Sequence, residues 1–98
     1  MADTSNFLES SPYDFGIRDW VKIIDSILKI CKDGTLRTHI MYKCNLNTIQ
    51  TRKYLDLLES QGLLEINGIE NRRGSIYKTT SKGMEYIRAF RQLEETLR

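Results

Sequence analysis

The segment TLRTHIMYKCNLNTIQTRKYLDLLESQG, residues Thr35–Gly62, decides the fold of this 98-residue chain. Its apolar residues recur at helical spacing on both sides of the polar turn Asn45-Leu46-Asn47. Asn47 suits the N-cap of the second stretch, and Gln50 stands three residues later, where a capping box needs it. The segment therefore predicts two helices joined by a tight turn, with Thr38 as the N-cap of the first. The predicted helices are Thr38–Cys44 and Thr48–Gln61.

The leading edge of this helix pair carries no acids. From Gly34 to Leu55 the chain contains no Asp or Glu, but it holds four basic residues, Arg37, Lys43, Arg52 and Lys53. DNA presents a dense row of phosphate charges, so a helix that enters a groove must not repel them. In a helix-turn-helix, one helix crosses the DNA backbone and braces the next, which enters the major groove. The pattern favours a helix-turn-helix that contacts DNA.

An acidic arm and a first helix precede the pair. Residues 1–18 carry three acids and one arginine, a net charge of −2, and have the polar composition of an arm with little regular structure. The apolar residues from Trp20 to Cys31 form one stripe, which predicts a helix at Asp19–Lys32 that ends before Gly34. The net charge of the whole chain is +2, so residues 19–98 carry +4. That excess is compatible with DNA binding and equally with an ordinary domain surface.

Two β-prone segments and a last helix follow the pair. Leu63–Ile69 and Ser75–Thr79 flank the turn-forming sequence Glu70–Gly74, so they predict a β-hairpin with a long basic tip. Thr35–Arg37 could add a minor strand, and we expect a helix from Ser81 to about Leu97. Three helices and a hairpin follow in the order of a winged helix-turn-helix, with the hairpin as the wing. The predicted fold is mainly α with a small β-hairpin, and residues 19–80 form the DNA-binding domain.

Several classes of protein are disfavoured. Cys31 and Cys44 have no metal-binding spacing and His39 is the single histidine, so no metal or cofactor is expected. Both cysteines suit a helical core as reduced thiols, with a Cys31–Cys44 disulfide as the alternative. We find no catalytic Ser/His/Asp or Cys/His set, and no sign of a small-molecule ligand, so we expect no enzyme. Without a long apolar run or a secretory signal, we expect a cytoplasmic, nucleoid-associated protein that does not contact membranes.

Three stretches resemble one known family. RTHIMYKCNLN at 37–47, KYLDLLESQGLLE at 53–65 and IYKTTSKGMEYI at 76–87 look like the small archaeal winged helix-turn-helix DNA-binding proteins. Members of that group pair through a C-terminal coiled-coil helix and include nucleoid proteins and repressors. The resemblance covers about residues 23–90 and implies DNA binding by a homodimer. A last helix that stops at Arg98 and an acidic arm depart from the nucleoid-type members, which leaves room for a site-specific regulator of viral or plasmid origin.

The start of the third helix supplies the candidate contacts with DNA bases. On a helical wheel, Ile49 and Lys53 point away from Thr51, Leu55 and Leu58, with Gln50 on the flank. Gln50 could bond adenine, Lys53 could reach guanine or phosphate, and Ile49 could touch a thymine methyl group. The alternative is a solvated polar face with one exposed isoleucine. The candidate residues on this helix are Asn47, Thr48, Ile49, Gln50, Arg52 and Lys53.

Other residues are candidate contacts with the DNA backbone and minor groove. Arg52, Thr48 and Asn47 would position the duplex through phosphates, although capping alone explains Asn47. The second helix offers Arg37, Thr38 and Lys43, and for Thr38 a capping role comes first. The wing tip offers Asn71, Arg72 and Arg73, because arginine suits the negative potential of a narrow minor groove. The alternative for the tip is an ordinary polar loop.

Isolated aromatic residues receive a different interpretation. Tyr42 and Tyr77 could stack on single-stranded nucleic acid, but packing in the core or in an interface is favoured. We interpret His39 as a polar position on the second helix and assign it no chemistry.

The last helix, residues 81–98, carries apolar residues on two adjacent faces. Gly83 and four further residues recur at three- and four-residue steps, as in the seam of a coiled coil. Met84 and Ile87 lie beside this seam and can face the domain. One small domain cannot cover both faces, so we expect a C-terminal dimerisation helix. The alternative is that the helix packs back on the first helix, including Trp20. The predicted dimer contacts are Tyr86, Phe90, Leu93 and Leu97.

These observations predict a transcriptional regulator that binds double-stranded DNA sequence-specifically as a homodimer. Each recognition helix would enter a major groove, and each wing would reach a minor groove. A nucleoid or architectural DNA-binding protein is one alternative. A winged helix used for protein–protein contacts is another, and the basic, acid-free edge speaks against it.

Overall fold

The computed structural model describes residues 16–69 and 74–97, which contain four α-helices and three short strands. The predicted arm up to residue 15 and the wing tip lie outside the described residues. Helix α1 is followed by a 3-10 turn at Cys31–Asp33, and helix α4 ends the described chain. The elements are α1 at Gly16–Ile30, β1 at Thr35–Leu36, α2 at Arg37–Lys43, α3 at Thr48–Ser60, β2 at Leu64–Ile69, β3 at Ser75–Thr79 and α4 at Ser81–Leu97.

The three strands form one antiparallel sheet in the order β1-β3-β2. Tyr77 of the central strand stands opposite Thr35 on one side and Ile66 on the other. The β2–β3 hairpin has a register shift between Ile66 and Ile69, near the end of β2. The short β1 pairs as the sequence suggested, and its pairing brings the start of α2 against the hairpin. The prediction of a mainly helical winged helix with a small hairpin is confirmed.

The core consists of the apolar stripes of the helices, which converge on the sheet. The stripe of α1 is buried as its spacing predicted, and α3 contributes its inner face together with Thr51, which is fully buried. Ile87 of α4 completes the core from the C-terminal side. The buried apolar residues are Ile24, Ile27, Leu28, Cys31, Ile40, Tyr54, Leu55, Leu58, Leu63, Leu64 and Ile87.

Buried hydrogen bonds tie the sheet to α1. The Thr79 hydroxyl on β3 donates to the carbonyl of Leu28 at 2.6 Å, and the Thr35 hydroxyl on β1 donates to the carbonyl of Ile30 at 2.8 Å. Both acceptors belong to the last turns of α1, whose carbonyls lack partners within the helix. These bonds therefore satisfy buried polar groups and fix where the helix ends against the sheet.

The two cysteines are free thiols. Burial, with a smaller contribution from Cys44, raises the pKa of Cys31 to about 12. Burial also raises the pKa of Cys44, which is half-buried beside the core. Because the thiolate is the reactive form, both side chains behave at neutral pH as small apolar groups of the core.

Two helix starts differ from the prediction. Helix α1 begins at Gly16, three residues before the expected start, and its last residue is Ile30 because residues 31–33 tighten into the 3-10 turn. Helix α2 begins at Arg37, so the expected N-cap role of Thr38 is wrong. Leu36 occupies the N-cap with extended backbone angles, because its pairing with Ile76 in the sheet already holds it extended. Thr38 lies in the first turn of α2.

The turn between α2 and α3 falls at the predicted residues, Asn45-Leu46-Asn47. Asn45 has a positive φ of 56°, which asparagine tolerates better than most residues. The amide of Leu46 donates to the carbonyl of Met41 at 3.0 Å, which closes the end of α2. The chain then turns sharply enough for α3 to begin at Thr48.

A complete capping box starts α3. The Asn47 side chain accepts from the amide of Gln50 at 2.7 Å, and the Gln50 side chain accepts from the amide of Asn47 at 3.0 Å. The hydroxyl of Thr51 donates to the Asn47 carbonyl at 2.8 Å. Two amides that would otherwise lack partners at the helix start are thus satisfied reciprocally, as the sequence predicted.

Alanine substitutions at Asn47 and at Thr38 should distinguish a residue that caps a helix from one that lies inside a helix. We expect Asn47→Ala to lower the free energy of unfolding by about 1 kcal/mol, since it removes the cap of α3. The control Thr38→Ala should change it by less than about 0.5 kcal/mol, because Thr38 is exposed inside α2. Urea denaturation measures both values, and equal losses would contradict this assignment.

Candidate nucleic-acid interface

The start of α3 presents the predicted contact residues on its outer face. Ile49 is 68% exposed, although it is a large apolar residue, and Arg52 and Lys53 are exposed beside it. Thr51 and Leu55, on the opposite face, are no more than 1% exposed. Burial of one face therefore fixes the other outward, and the predicted division of the helix is confirmed.

The other contact candidates at this end of α3 are held by local bonds. Asn47, Thr48 and Gln50 are exposed, and the hydroxyl of Thr48 donates to the sulfur of Met41 at 3.8 Å. The Oε1 atom of Gln50 is already an acceptor in the capping box. A bidentate bond to adenine needs both the oxygen and the nitrogen of the amide. The bond from the Asn47 amide occupies one of the two lone pairs of Oε1, so the second lone pair and the amide nitrogen remain for a base.

The candidate backbone contacts lie at the two ends of α2. Arg37 and Thr38 are exposed at its start, and Lys43 is exposed at its end. Their positions suit phosphates on either side of a groove, because α2 is the helix that braces α3. The wing residues Asn71, Arg72 and Arg73 lie outside the described residues and stay predictions.

Charge is segregated along α3. The exposed cations occupy its first half, and the exposed acids Asp56 and Glu59 occupy its second half. Burial and then the Glu59 carboxylate raise the pKa of the Tyr77 hydroxyl, Arg37 lowers it, and Asp56 raises it. The pKa of Tyr77 on β3 therefore depends both on Arg37 at the start of α2 and on the acids in the second half of α3. The acid-free surface ends after about two turns of α3.

Tyr42 is an exposed aromatic residue on α2. Its side chain is 86% exposed, so the expected packing in the core is wrong for Tyr42, and packing in an interface stays a prediction. Tyr77 is half-buried and packs against the core. On α2 the inward position is Ile40, and a residue two places later lies on the opposite side of a helix. With Ile40 inward, Tyr42 therefore lies on the outer side of α2, next to Lys43 and near the turn.

The last helix divides its apolar residues between the domain and solvent. Ile87 is buried, and Met84 and Phe90 pack partly against the core, as Trp20 of α1 does. Phe90 also meets the ring of Tyr86 edge to face, with 6.0 Å between ring centres. The exposed residues of the predicted dimer seam are Tyr86 at 42%, Leu93 at 53% and Leu97 at 69%.

Gly83 does not belong to that outward seam. It is buried, and a Cβ atom built on it would stand 2.4 Å from the carbonyl oxygen of Leu63. The a/d spacing grouped it with Tyr86 because a heptad pattern cannot distinguish a small residue in a seam from one that permits close backbone contact. The prediction that Met84 and Ile87 face the domain is confirmed.

No group of three or more His, Cys, Asp or Glu residues that could hold a metal ion occurs within residues 16–69 and 74–97. Across the same ranges, no helix has the length and apolar character needed to cross a membrane.

Comparisons with solved structures identify similar folds. Sso10a-2, a DNA-binding protein from Sulfolobus solfataricus, is 32% identical with a TM-score of 0.66, over 79% of this chain and 82% of that chain. NMB1585, a MarR family regulator from Neisseria meningitidis, is 20% identical with a TM-score of 0.58, over 76% of this chain and 54% of that chain. A mutant MepR from Staphylococcus aureus, bound to an oligodeoxyribonucleotide, is 17% identical with a TM-score of 0.63, over 82% of this chain and 62% of that chain.

The two bacterial structures, at such low identity, show the shared fold. No curated protein matches the chain. A model of the winged helix-turn-helix family matches residues 17–98, which is most of the sequence. Together with the archaeal structure at 32% identity, this match shows that the chain belongs to the winged helix-turn-helix family.

Proposed function

We propose that this chain is a homodimeric transcriptional regulator that binds double-stranded DNA sequence-specifically. The observation that carries the proposal is the outer face of α3, where exposed Ile49, Arg52 and Lys53 stand on a surface free of acids. The archaeal relative described as a DNA-binding protein supports the proposal.

The first half of α3 enters the major groove in this proposal. Ile49 contacts a thymine methyl group, and Lys53 contacts guanine or a phosphate. Gln50 contacts adenine through its amide nitrogen and the second lone pair of its Oε1. Arg52 and Thr48 contact phosphates and so fix the register of the helix on the duplex without contributing sequence preference.

The acids of α3 limit how far the helix enters the groove. Asp56 follows Lys53 by one turn on the outer face, and Glu59 lies one turn further. A carboxylate next to a phosphate is repelled, so the second half of the helix stays out of the groove. The contact surface is therefore short, and the wing with Arg72 and Arg73 has to add affinity from the minor groove.

A second chain covers the exposed face of α4 in this proposal. Tyr86, Leu93 and Leu97 form an apolar strip along a helix whose opposite side already packs on the domain. Apolar helix faces spaced at three and four residues pair as coiled coils. Two recognition helices would then enter successive major grooves about 34 Å apart.

A protein-binding winged helix is the second candidate function. The exposed Tyr42 and Ile49 favour it, because aromatic and large apolar side chains are typical of contacts between proteins. Selection of duplexes from a random-sequence library by the purified protein distinguishes the candidates. A palindromic consensus supports the regulator, binding without a consensus indicates an architectural protein, and no binding favours protein contacts.

Replacement of the central outer-face cation should reduce sequence preference. We expect Lys53→Ala to lower the ratio of affinities for selected and scrambled duplexes by roughly 5- to 150-fold, the equivalent of about 1–3 kcal/mol. Fluorescence anisotropy titrations measure both affinities. The control Lys22→Ala removes an equally exposed cation from α1 and should leave the ratio unchanged. An unchanged ratio in Lys53→Ala would contradict its assignment to base contact.

Removal of the wing cations should act on all duplexes alike. We expect Arg72→Ala combined with Arg73→Ala to weaken binding to selected and scrambled duplexes by about the same factor, because minor-groove and phosphate contacts dominate there. The dependence of log K on log salt should become shallower by roughly 1–2, one for each lost phosphate contact. Loss of preference without loss of affinity would contradict this role.

The mass of the protein in solution tests the homodimer. Light scattering at micromolar concentration should give about twice the 11.5 kDa of one chain. Leu93→Glu should give the mass of a monomer, because it buries an unpaired charge in the seam. The control Gln92→Glu places the same charge on the neighbouring exposed position and should stay dimeric. A monomeric wild-type protein would refute the seam.

A further inference from the structure

The end of α3 and the start of α4 meet at a compact junction. The hydroxyl of Thr80 donates to the carbonyl of Gly62 at 2.6 Å and accepts from the amide of Gly83 at 3.1 Å. One hydroxyl group thus caps α4 and holds the residue that closes α3. The amide of Thr80 donates to the carbonyl of Leu63 at 3.1 Å, and the Lys82 ammonium donates to the carbonyl of Gln61 at 2.9 Å. We call these residues the α3–α4 junction.

Gly83 lets the two segments approach at backbone distance. A Cβ atom at this position would lie 2.4 Å from the Leu63 carbonyl oxygen and 2.6 Å from the Cγ2 atom of Thr79. Real Cβ atoms do not come so close to backbone oxygen, so any larger residue would force α4 away from the chain that follows α3. The junction is therefore closed sterically as well as by hydrogen bonds.

The neighbouring elements prevent the junction from pivoting freely. Thr79, directly before it, is bonded to the carbonyl of Leu28 on α1 in the protein interior. One turn after it, Ile87 is buried in the core, 3% exposed. Two anchors on either side of Gly83 fix both the position and the direction of α4 relative to α3.

We propose that the α3–α4 junction determines the spacing of the two DNA half-sites, with Gly83 and Thr80 as positioning residues. This inference rests on the proposed DNA-binding homodimer. The dimer is joined through α4, and DNA is contacted through α3. The distance between the two copies of α3 therefore depends on the angle at which each α4 leaves its domain.

The length of α4 makes the angle at which it leaves the domain important. Helix α4 has 17 residues and is about 25 Å long, at 1.5 Å per residue. A change of about 10° at the junction moves its far end by roughly 4 Å, more than the ~3.4 Å rise of one base pair. A small change at Gly83 is thus enough to shift the preferred half-site spacing by one base pair, or to abolish the preference for one spacing.

Distance measurements in the dimer test the junction without DNA. Spin labels on Ile49→Cys, in a Cys44→Ser background that leaves the fully buried Cys31, report the separation of the two α3 helices by double electron–electron resonance. We expect one narrow distance in this labelled parent. Gly83→Ala and Thr80→Val should shift or broaden it by several ångströms, whereas Thr80→Ser, which keeps the hydroxyl, and the exposed control Ser81→Ala should preserve it.

Duplexes with varied spacing test the consequence for DNA. Two copies of the half-site selected by the wild-type protein are separated in steps of one base pair around a helical turn of ~10 base pairs. The wild type should show one optimum, and Thr80→Val should show a displaced or flattened optimum while its affinity for a single half-site stays within about twofold. That split would not arise from a merely less stable protein.

The outcomes distinguish this inference from the proposed function. A dimer whose distance distribution and spacing optimum are the same in Thr80→Val and the parent would overturn the junction's role and leave the regulator intact. A dimer that binds no DNA but shows the altered distances would overturn the proposed function and retain the junction as the determinant of α3 separation. If Gly83→Ala does not fold, Thr80→Val carries the test. A monomeric parent would overturn both proposals.

Discussion

The burial of one face of α3 determines the orientation of everything that the chain offers to a partner. Its inner residues are between 0 and 5% exposed, and they lie at spacings of three and four, so the helix cannot rotate about its axis without exposing part of the core. The capping box fixes where the helix begins, and the sheet fixes where the chain leaves it. The outer face is consequently rigid although it makes few contacts itself. The inner residues are Thr51, Tyr54, Leu55 and Leu58.

Local chemistry made much of this fold predictable from the sequence. The α3 cap, the outward position of Lys53 and the bounds of α4 follow from residues within one or two turns of each other. The expected cap at Thr38 failed because a distant partner, Ile76, holds Leu36 extended and so supplies the helix start. Gly83 was wrongly assigned to the dimer seam for the same reason. The β2–β3 hairpin, which lies between the two residues in the sequence, brings Leu63 beside it. The contact roles of all the site residues, on the helices and on the wing, stay predictions.

In this chain the distribution of charged residues matters more than the net charge. A net charge of +2 would not by itself attract a duplex strongly, yet the first half of α3 and both ends of α2 carry four cations within a stretch, Gly34 to Leu55, that contains no acid. Asp56 and Glu59 then limit the favourable region to about two turns. In the proposed dimer, a contact surface this short would make affinity depend more on the correct placement of two copies than on the strength of one. On that proposal, the junction around Gly83 is important because it sets this placement.

The dual position of Gln50 shows how such a surface can gain selectivity. Its Oε1 contributes one of the two bonds of a capping box, and an N-cap as a whole contributes about 1 kcal/mol. A bidentate contact with adenine contributes about 1–3 kcal/mol of discrimination. The capping box would not have to open for such a contact, because the second lone pair of Oε1 can accept from adenine while the first accepts from the Asn47 amide. The amide of Gln50 donates to the Asn47 side chain in the same box, so the helix start and the side chain that would meet the base are held together. A side chain that is already ordered loses less rotamer freedom on binding, so in the proposed complex the cap would lower the entropic cost of reading adenine.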